Sequence, residues 1–144
     1  MVEFSIMWIG YALLSAIFAA AVAILGKIGL KNVDSTLATT IRAVVMAVFL
    51  LGATAVLQKF SLIKTVGSQT LTFIIFSGVA GAFSWLFYFL ALKNGPATGV
   101  AALDRLSVVF VVILSAMFLG EALTLKSVSG LVLLVLGAIL LVLK

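Results

Sequence analysis

The fold is decided by residues 65–92, which read TVGSQTLTFIIFSGVAGAFSWLFYFLAL and contain no charged side chain. A helix needs about 20 predominantly apolar residues to cross the hydrocarbon core of a bilayer, and this stretch is longer than that. Its apolar residues run continuously, whereas a transmembrane β-strand alternates apolar and polar positions. The stretch therefore predicts a membrane-spanning α-helix.

Similar apolar runs lie on both sides of this stretch, separated by short polar segments such as Lys93-Asn94-Gly95-Pro96. We predict one domain over residues 1–144, with five spans at about 4–26, 36–58, 70–92, 97–119 and 127–143. The first run is interpreted as a true span and not as a cleaved signal, because no Lys or Arg precedes it and it is too long for a signal core. Candidate helix caps support these boundaries: Asp34-Ser35-Thr36 for the second helix, Pro96 in the first turn of the fourth, and Thr124 or Ser127 for the fifth.

The composition agrees with a chain that lies almost entirely in the membrane. Apolar residues make up 65% and charged residues 9%, with a mean hydropathy of +1.45, whereas about 25% of residues are charged in an ordinary soluble domain. Too little polar sequence is present to cover a water-facing globule. We predict an all-α polytopic protein, multi-pass in the cell membrane.

The same composition disfavours several functional classes. The net charge is +5, but the basic residues stand mostly singly between apolar runs, which favours contact with lipid headgroups over nucleic acid. The chain has no Cys or His and four acidic residues, so we expect no metal site. No catalytic constellation is visible, and we predict no catalytic residues and no enzyme activity.

Three charged residues fall inside apolar runs: Arg42, Asp104 and Arg105. Each costs about 2.5–3.5 kcal/mol at a helix centre, and such residues are functional candidates by default. Arg42 and Asp104 lie at similar predicted depths, about 9 and 12 Å below the same membrane side. Arg42 is the better partner for Asp104, because neighbours such as Asp104 and Arg105 do not face each other on a helix. The alternative for Arg42 is snorkelling towards the helix end.

The remaining candidates are polar, aromatic and small residues at helical spacing. One stripe on the third helix comprises Ser77, Gly81, Ser84 or Trp85, and Tyr88. It predicts a substrate-facing cavity wall; the alternative is helix packing with an interfacial aromatic belt. Gly130 and Gly137, seven residues apart on the last helix, indicate a helix–helix contact that could join two subunits.

Four segments together resemble the EamA-type domain of the drug/metabolite transporter superfamily. They are the Lys27–Lys31 loop with Arg42, the segment YFLAL (88–92) running into PATGVA (96–101), FLGEALT (118–124) and GLVLLVLGA (130–138). Many members of that family are ten-helix transporters built from two such domains in inverted orientation, and this chain resembles one half. The resemblance implies transport of small metabolites at a site between two halves, no cofactor, and a structural role for Glu121 at a helix end. The chain differs from the four-span multidrug branch, which carries an acidic residue in its first span.

We therefore predict a transporter of small polar or amphipathic metabolites that acts by alternating access as an antiparallel homodimer. With five spans, Lys59, Lys64 and Lys126 fall on one membrane side, and Lys27, Lys31, Lys93 and Lys144 on the other. This near balance gives little orientation preference and favours dual topology. The alternative is a non-transporting membrane subunit that assembles with a larger partner, and a membrane-embedded enzyme is a distant third.

Overall fold

The computed structural model describes residues 2–143, with side-chain exposure described from residue 6 onward. This part of the chain consists of helices joined by short turns and loops, without a strand. Lys144, counted above among the lysines, lies outside it. The helices are α1 (Val2–Gly29), α2 (Ser35–Val56), α3 (Ser68–Asn94), α4 (Ala97–Asp104), α5 (Ser107–Phe118) and α6 (Leu125–Val142), with a 3-10 segment at Lys59–Thr65. Five stretches are long and apolar enough to span a membrane, with α4 and α5 together forming the fourth. The prediction of an all-α polytopic membrane protein is confirmed.

The helix ends follow from side-chain and backbone chemistry. The Asp34 carboxylate accepts the backbone N–H groups of Thr36 and Leu37, at 2.9 and 3.0 Å, and so satisfies two otherwise unpaired donors at the start of α2. Thr124 caps α6 in the same way by accepting the N–H of Ser127 at 3.1 Å. Both predicted caps are confirmed. Pro96 is the N-cap residue of α4, one position before its first helical residue.

The chain divides into two compact units, one made of the residues up to Ile28 together with those from Asn94 onward, the other of Gly29–Lys93. Within the second unit, α2 leads through Gln58, whose φ of 54° lies in the left-handed region, into the 3-10 segment and then α3. Lys93 Nζ donates a hydrogen bond to the Val33 carbonyl at 3.0 Å. The lysine thereby ties the end of α3 to the loop that precedes α2.

Within the first unit, α4 packs against α6 through small residues. Gly99, Ala102 and Ala138 are buried, and a Cβ at Gly99 would lie 3.3 Å from Pro96 Cγ and 3.8 Å from Val142 Cγ2. Small side chains let helices approach closely in lipid, where association depends on van der Waals packing. In the same unit, Lys27 Nζ donates a hydrogen bond to the Gly95 carbonyl at 2.9 Å, which ties the end of α1 to the turn before α4.

Candidate functional site

The first candidate centre is the guanidinium of Arg42, which lies in the second turn of α2. Its Cζ atom lies 3.5 Å from the centroid of the Trp85 ring and 5.4 Å from that of Phe89, both on α3. A cation over an aromatic face is attracted by the ring quadrupole, and the contact is worth about 2 kcal/mol or more when it is desolvated. The structure therefore places this intramembrane charge against aromatic rings of α3. We call the cluster of Trp85, Phe89 and the adjacent Tyr88 the aromatic seat.

The rings that form this seat also fix one another. Trp85 meets Tyr88 edge-on at a centroid distance of 5.6 Å and Phe89 at 6.2 Å, and Tyr88 and Phe89 lie 6.2 Å apart. Aromatic pairs in tilted and edge-to-face arrangements stabilise each other beyond the area that they bury. Phe89 is buried, with 4% of its surface exposed, while Trp85 and Tyr88 are half-buried. The indole is thus held in place before anything binds near it.

The direction of the Arg42 side chain bears on the two interpretations of its position. Trp85 lies nine residues before Asn94, the last residue of α3, and Phe89 lies five before it. The guanidinium is closer to Trp85, the ring farther from the helix end. Snorkelling would draw the charge towards the end of the helix, so the observed contact disfavours that alternative.

The charge of Arg42 has no carboxylate partner within its own unit. Residues 29–93 contain one acidic residue, Asp34, and its carboxylate accepts backbone hydrogen bonds at the start of α2. These hydrogen bonds lower the pKa of Asp34 below its ordinary value, and the one from the Leu37 N–H has the largest effect. Electrostatic attraction by Lys93 lowers it further. Asp104 belongs to the other unit, and its pairing with Arg42 stays a prediction.

The second candidate centre is a break in the fourth span, which the sequence predicted as one helix over 97–119. α4 ends at Asp104 and α5 begins at Ser107. Arg105 and Leu106 between them keep right-handed helical φ and ψ angles, so what we call the break is a tightened turn within one continuous span. Around the break, the N–H groups of Leu106, Val108 and Val109 donate to the carbonyls of Leu103, Arg105 and Leu106, three positions earlier instead of four. Such 3-10 stretches inside a helix often mark hinges or functional sites.

Asp104 and Arg105 are both exposed on the chain. No Gly or Pro lies between 100 and 110, so the usual sequence signals of a helix break are missing here. The charged pair is the one unusual feature at this point, and it could have suggested the break. An ionised side chain in a span does not face lipid stably, so an exposed one indicates a water-filled cavity, a ligand or another protein surface.

The predicted residues of the α3 stripe fall into a half-buried and an exposed group. Of the stripe on α3, Gly81, Trp85 and Tyr88 are half-buried, whereas Ser77 and Ser84 are exposed. Phe89, which sequence reasoning missed, completes the seat; its position four residues after Trp85 places it on the same helix face. The stripe therefore contributes aromatic rings to the seat, and its serines lie outside it.

Of the predicted structural residues near the end of the chain, Glu121 lies in the α5–α6 connection, whereas Gly130 and Gly137 lie within α6. α5 ends at Phe118, and Gly120, two residues later, has a φ of +70°, which is accessible to glycine without strain. The Glu121 N–H donates to the Ser115 carbonyl at 3.3 Å. A Cβ at Gly130 or Gly137 would meet no atom within 4 Å. The close helix contact within the unit lies instead at Gly99, and a subunit contact at Gly130 and Gly137 stays a prediction.

The described residues were also considered as metal ligands. Among residues 2–143, no group of three or more His, Cys, Asp or Glu residues could hold a metal ion. The arrangement that the structure does show is a planar cation stacked against aromatic rings in one unit, and in the other an acidic and a basic residue, Asp104 and Arg105, side by side in the sequence at the break. Both are suited to binding polar solutes within a membrane.

Comparison with known proteins connects these features to a family. Residues 6–143 match the EamA-like transporter family. The chain belongs to that family. An uncharacterised transporter in the cobO 3′ region of a Sinorhizobium species is 41% identical over 134 residues, which cover 93% of this chain and 95% of that protein. An uncharacterised protein of Methanocaldococcus jannaschii is 36% identical over 86 residues, which cover 60% of this chain and 63% of that one.

No solved structure matches the chain significantly. The family match confirms the resemblance drawn from the four segments above and identifies a multi-pass membrane transporter of the drug/metabolite type. The matched range includes all five spans, both charged centres and the aromatic seat. The candidate residues are therefore part of the family domain and do not belong to an added segment.

Proposed function

We propose that this EamA-like protein transports small polar or amphipathic metabolites across the cell membrane by alternating access, as an antiparallel homodimer. The observation that carries the proposal is the break in the fourth span, with Asp104 and Arg105 exposed beside it. In secondary transporters, discontinuous helices supply the polar backbone and side-chain groups of the substrate site, and one structural repeat rocks against its inverted copy. A charged break in a chain of a transporter family fits that role.

The number of spans supports the proposed dimer. Five helices leave little room for a closed translocation path, and a second copy inserted upside down would supply the inverted repeat. The Sinorhizobium relative has nearly the same length, since the match covers 95% of it. The balanced lysines of the two membrane sides support insertion in both orientations.

Reconstitution tests the transport itself. The purified chain, placed alone in liposomes loaded with a mixture of small metabolites, is expected to release a subset of them, while protein-free liposomes retain all. Mass spectrometry of the external solution identifies what leaves. A chain that inserts, dimerises and moves nothing would support the competing role of a non-transporting subunit.

Single cysteines test the orientation, because the native chain has none. Ser61→Cys places a thiol in the 3-10 segment and Asn32→Cys places one at the opposite membrane side, both at exposed positions. An impermeant thiol reagent on intact cells is expected to label roughly half of each variant. Complete labelling of one variant and none of the other would mean a single orientation, and the antiparallel homodimer would be abandoned.

A further inference from the structure

We propose that the Arg42 guanidinium, held against Trp85, binds the carboxylate or phosphate group of an anionic substrate. The proposal rests on the transport function proposed above and narrows its substrate class. It assigns the aromatic residues of α3 a positioning role: they hold the cation, and the cation binds the anion.

The short distance between Cζ and the indole fits a guanidinium that turns its edge, and not its face, towards a ligand. The rings of Trp85 and Phe89 lie 3.5 and 5.4 Å from Cζ, and the shorter distance is that of a guanidinium whose flat face stacks on the indole. The five N–H donors of an arginine lie in its plane, so a stacked guanidinium can still present a pair of parallel donors. Carboxylate and phosphate oxygens match that fork in a bidentate arrangement.

The charges around Arg42 favour an anionic ligand over a cationic one. A cation within a membrane span is costly unless it is paired, and the only carboxylate within residues 29–93 caps the start of α2. The aromatic contact compensates part of the charge, and an incoming anion would compensate the rest. A cationic ligand is disfavoured, because Arg42 already occupies the face of Trp85 that would attract it.

The aromatic seat also holds the guanidinium in a fixed orientation before a ligand binds. Trp85 is fixed by edge contacts with Tyr88 and Phe89, so the planar group that stacks on it is held in one orientation. A preorganised guanidinium loses less conformational freedom when it binds a ligand than a freely moving one would. The phosphate of a lipid headgroup shares the ligand chemistry, but the guanidinium lies nearer the ring farther from the helix end, which favours a soluble solute.

Tryptophan fluorescence reports binding directly, because the chain has two tryptophans, Trp8 and Trp85. Trp8→Phe leaves Trp85 as the sole reporter, in phosphatidylcholine nanodiscs. Succinate, lactate and inorganic phosphate are titrated at constant ionic strength, with choline as the cationic probe. At least one anion is expected to give a saturable change in emission, and choline none.

Variants in the Trp8→Phe background show whether Arg42 is responsible. Arg42→Gln is expected to abolish the saturable change. Arg42→Lys, which keeps the charge but loses the planar fork, is expected to weaken binding at least about tenfold. Lys64→Gln removes one positive charge from an exposed position of the same unit and is expected to change nothing. Isothermal titration calorimetry of the same samples provides a readout independent of the indole, in case Arg42→Gln alters its emission or its folding.

Each other result would overturn the proposal. Absence of a saturable response to all three anions, an undiminished response in both Arg42 variants, or saturable choline binding would each do so. A second set of nanodiscs with added phosphatidylglycerol tests the lipid alternative: a response to that lipid that soluble anions do not compete away assigns the guanidinium to headgroups. The binding assay needs no transport, so liposomes that release a cation without any anion binding would refute this inference and leave the transport function standing.

Discussion

The two charged centres accommodate ionised groups in opposite ways. Arg42 lies in an unbroken helix, and its long side chain reaches rings supplied by the same unit. Asp104 and Arg105 lie where the helix is broken, and both are exposed. A flexible cation can find a π-face as a partner, whereas a short carboxylate has no such option and needs donors or a cation close to its own backbone.

This contrast suggests different roles for the two centres: Arg42 is held in place by aromatic rings, whereas Asp104 is exposed at the break. The guanidinium is positioned by rings that hold each other, so it is suited to recognition of a ligand. The carboxylate at the break lies where the backbone departs from regular helix geometry, so it is suited to a step that involves movement or exchange. Transporter sites that combine such elements bind at broken helices and change conformation around them.

The largest expected effect on transport comes from Asp104→Asn, which should remove most transport while membrane insertion stays intact. Loss of a charge-assisted hydrogen bond costs about 1.5–3 kcal/mol, which corresponds to at least about a tenfold loss of rate or affinity. Flux from liposomes measures it, with Glu121→Gln, an exposed position in the α5–α6 connection, as the matched carboxylate control. Near-normal flux in Asp104→Asn would refute the functional role of the break.

The second prediction concerns the pairing of Arg42 with Asp104 that the sequence suggests; in the absence of an anionic ligand Asp104 would compensate the guanidinium, and a bound anion would displace it. Removing one partner of a buried ion pair costs about 3–5 kcal/mol, because the other charge is left uncompensated. Arg42→Gln and Asp104→Asn should each lower the melting temperature, and the double variant should lose less than their sum. Strictly additive shifts in thermal unfolding would show that the two groups do not interact.

A smaller coupling is expected between Arg42 and Trp85. A desolvated cation–π contact is worth about 2 kcal/mol, and a double-mutant cycle with Arg42→Gln and Trp85→Leu should recover a coupling of that order in unfolding free energy. Phe83→Leu in place of Trp85→Leu is the control, because Phe83 is 57% exposed. A coupling with Phe83 as large as that with Trp85 would contradict the aromatic seat.

The sequence predicted the architecture well, because the requirement for about 20 apolar residues per span leaves few alternatives. It also predicted the caps at Asp34 and Thr124, since a short polar side chain before an apolar run has a local role. The Arg42 contact with Trp85 and Phe89 could not be predicted, because it depends on which faces of α2 and α3 meet. The break at residues 105–106 was missed for another reason: no Gly or Pro marks it.

The α4–α6 contact offers a fourth test that separates packing within the chain from packing between chains. Gly99→Leu should destabilise the fold by about 1–3 kcal/mol, as expected for overpacking, because a Cβ there already lies 3.3 Å from Pro96 Cγ. A Cβ at Gly130 meets no atom within 4 Å, so Gly130→Leu should change the stability of the single chain much less than Gly99→Leu. A shift of Gly130→Leu from dimer to monomer in native mass spectrometry would support the predicted subunit contact, and an unchanged dimer would contradict it.

The smallest expected effect is at the Asp34 cap, which carries a charge outside the spans. Hydrogen bonds from Leu37 and Thr36 and the nearby Lys93 lower the pKa of this carboxyl, so its ionised form is favoured in the folded state. The resulting stabilisation is present above the unfolded-state pKa of about 3.9 and is lost as the pH falls through the lower pKa of the folded state.

Asp34→Asn keeps a capping acceptor without the charge, whereas Asp34→Ala removes both. At neutral pH, melting temperatures should therefore fall in the order wild type, Asp34→Asn, Asp34→Ala. The advantage of wild type over Asp34→Asn should shrink as the pH falls below about 4. An advantage that stayed constant down to pH 2 would mean that the charge of Asp34 does not stabilise the start of α2.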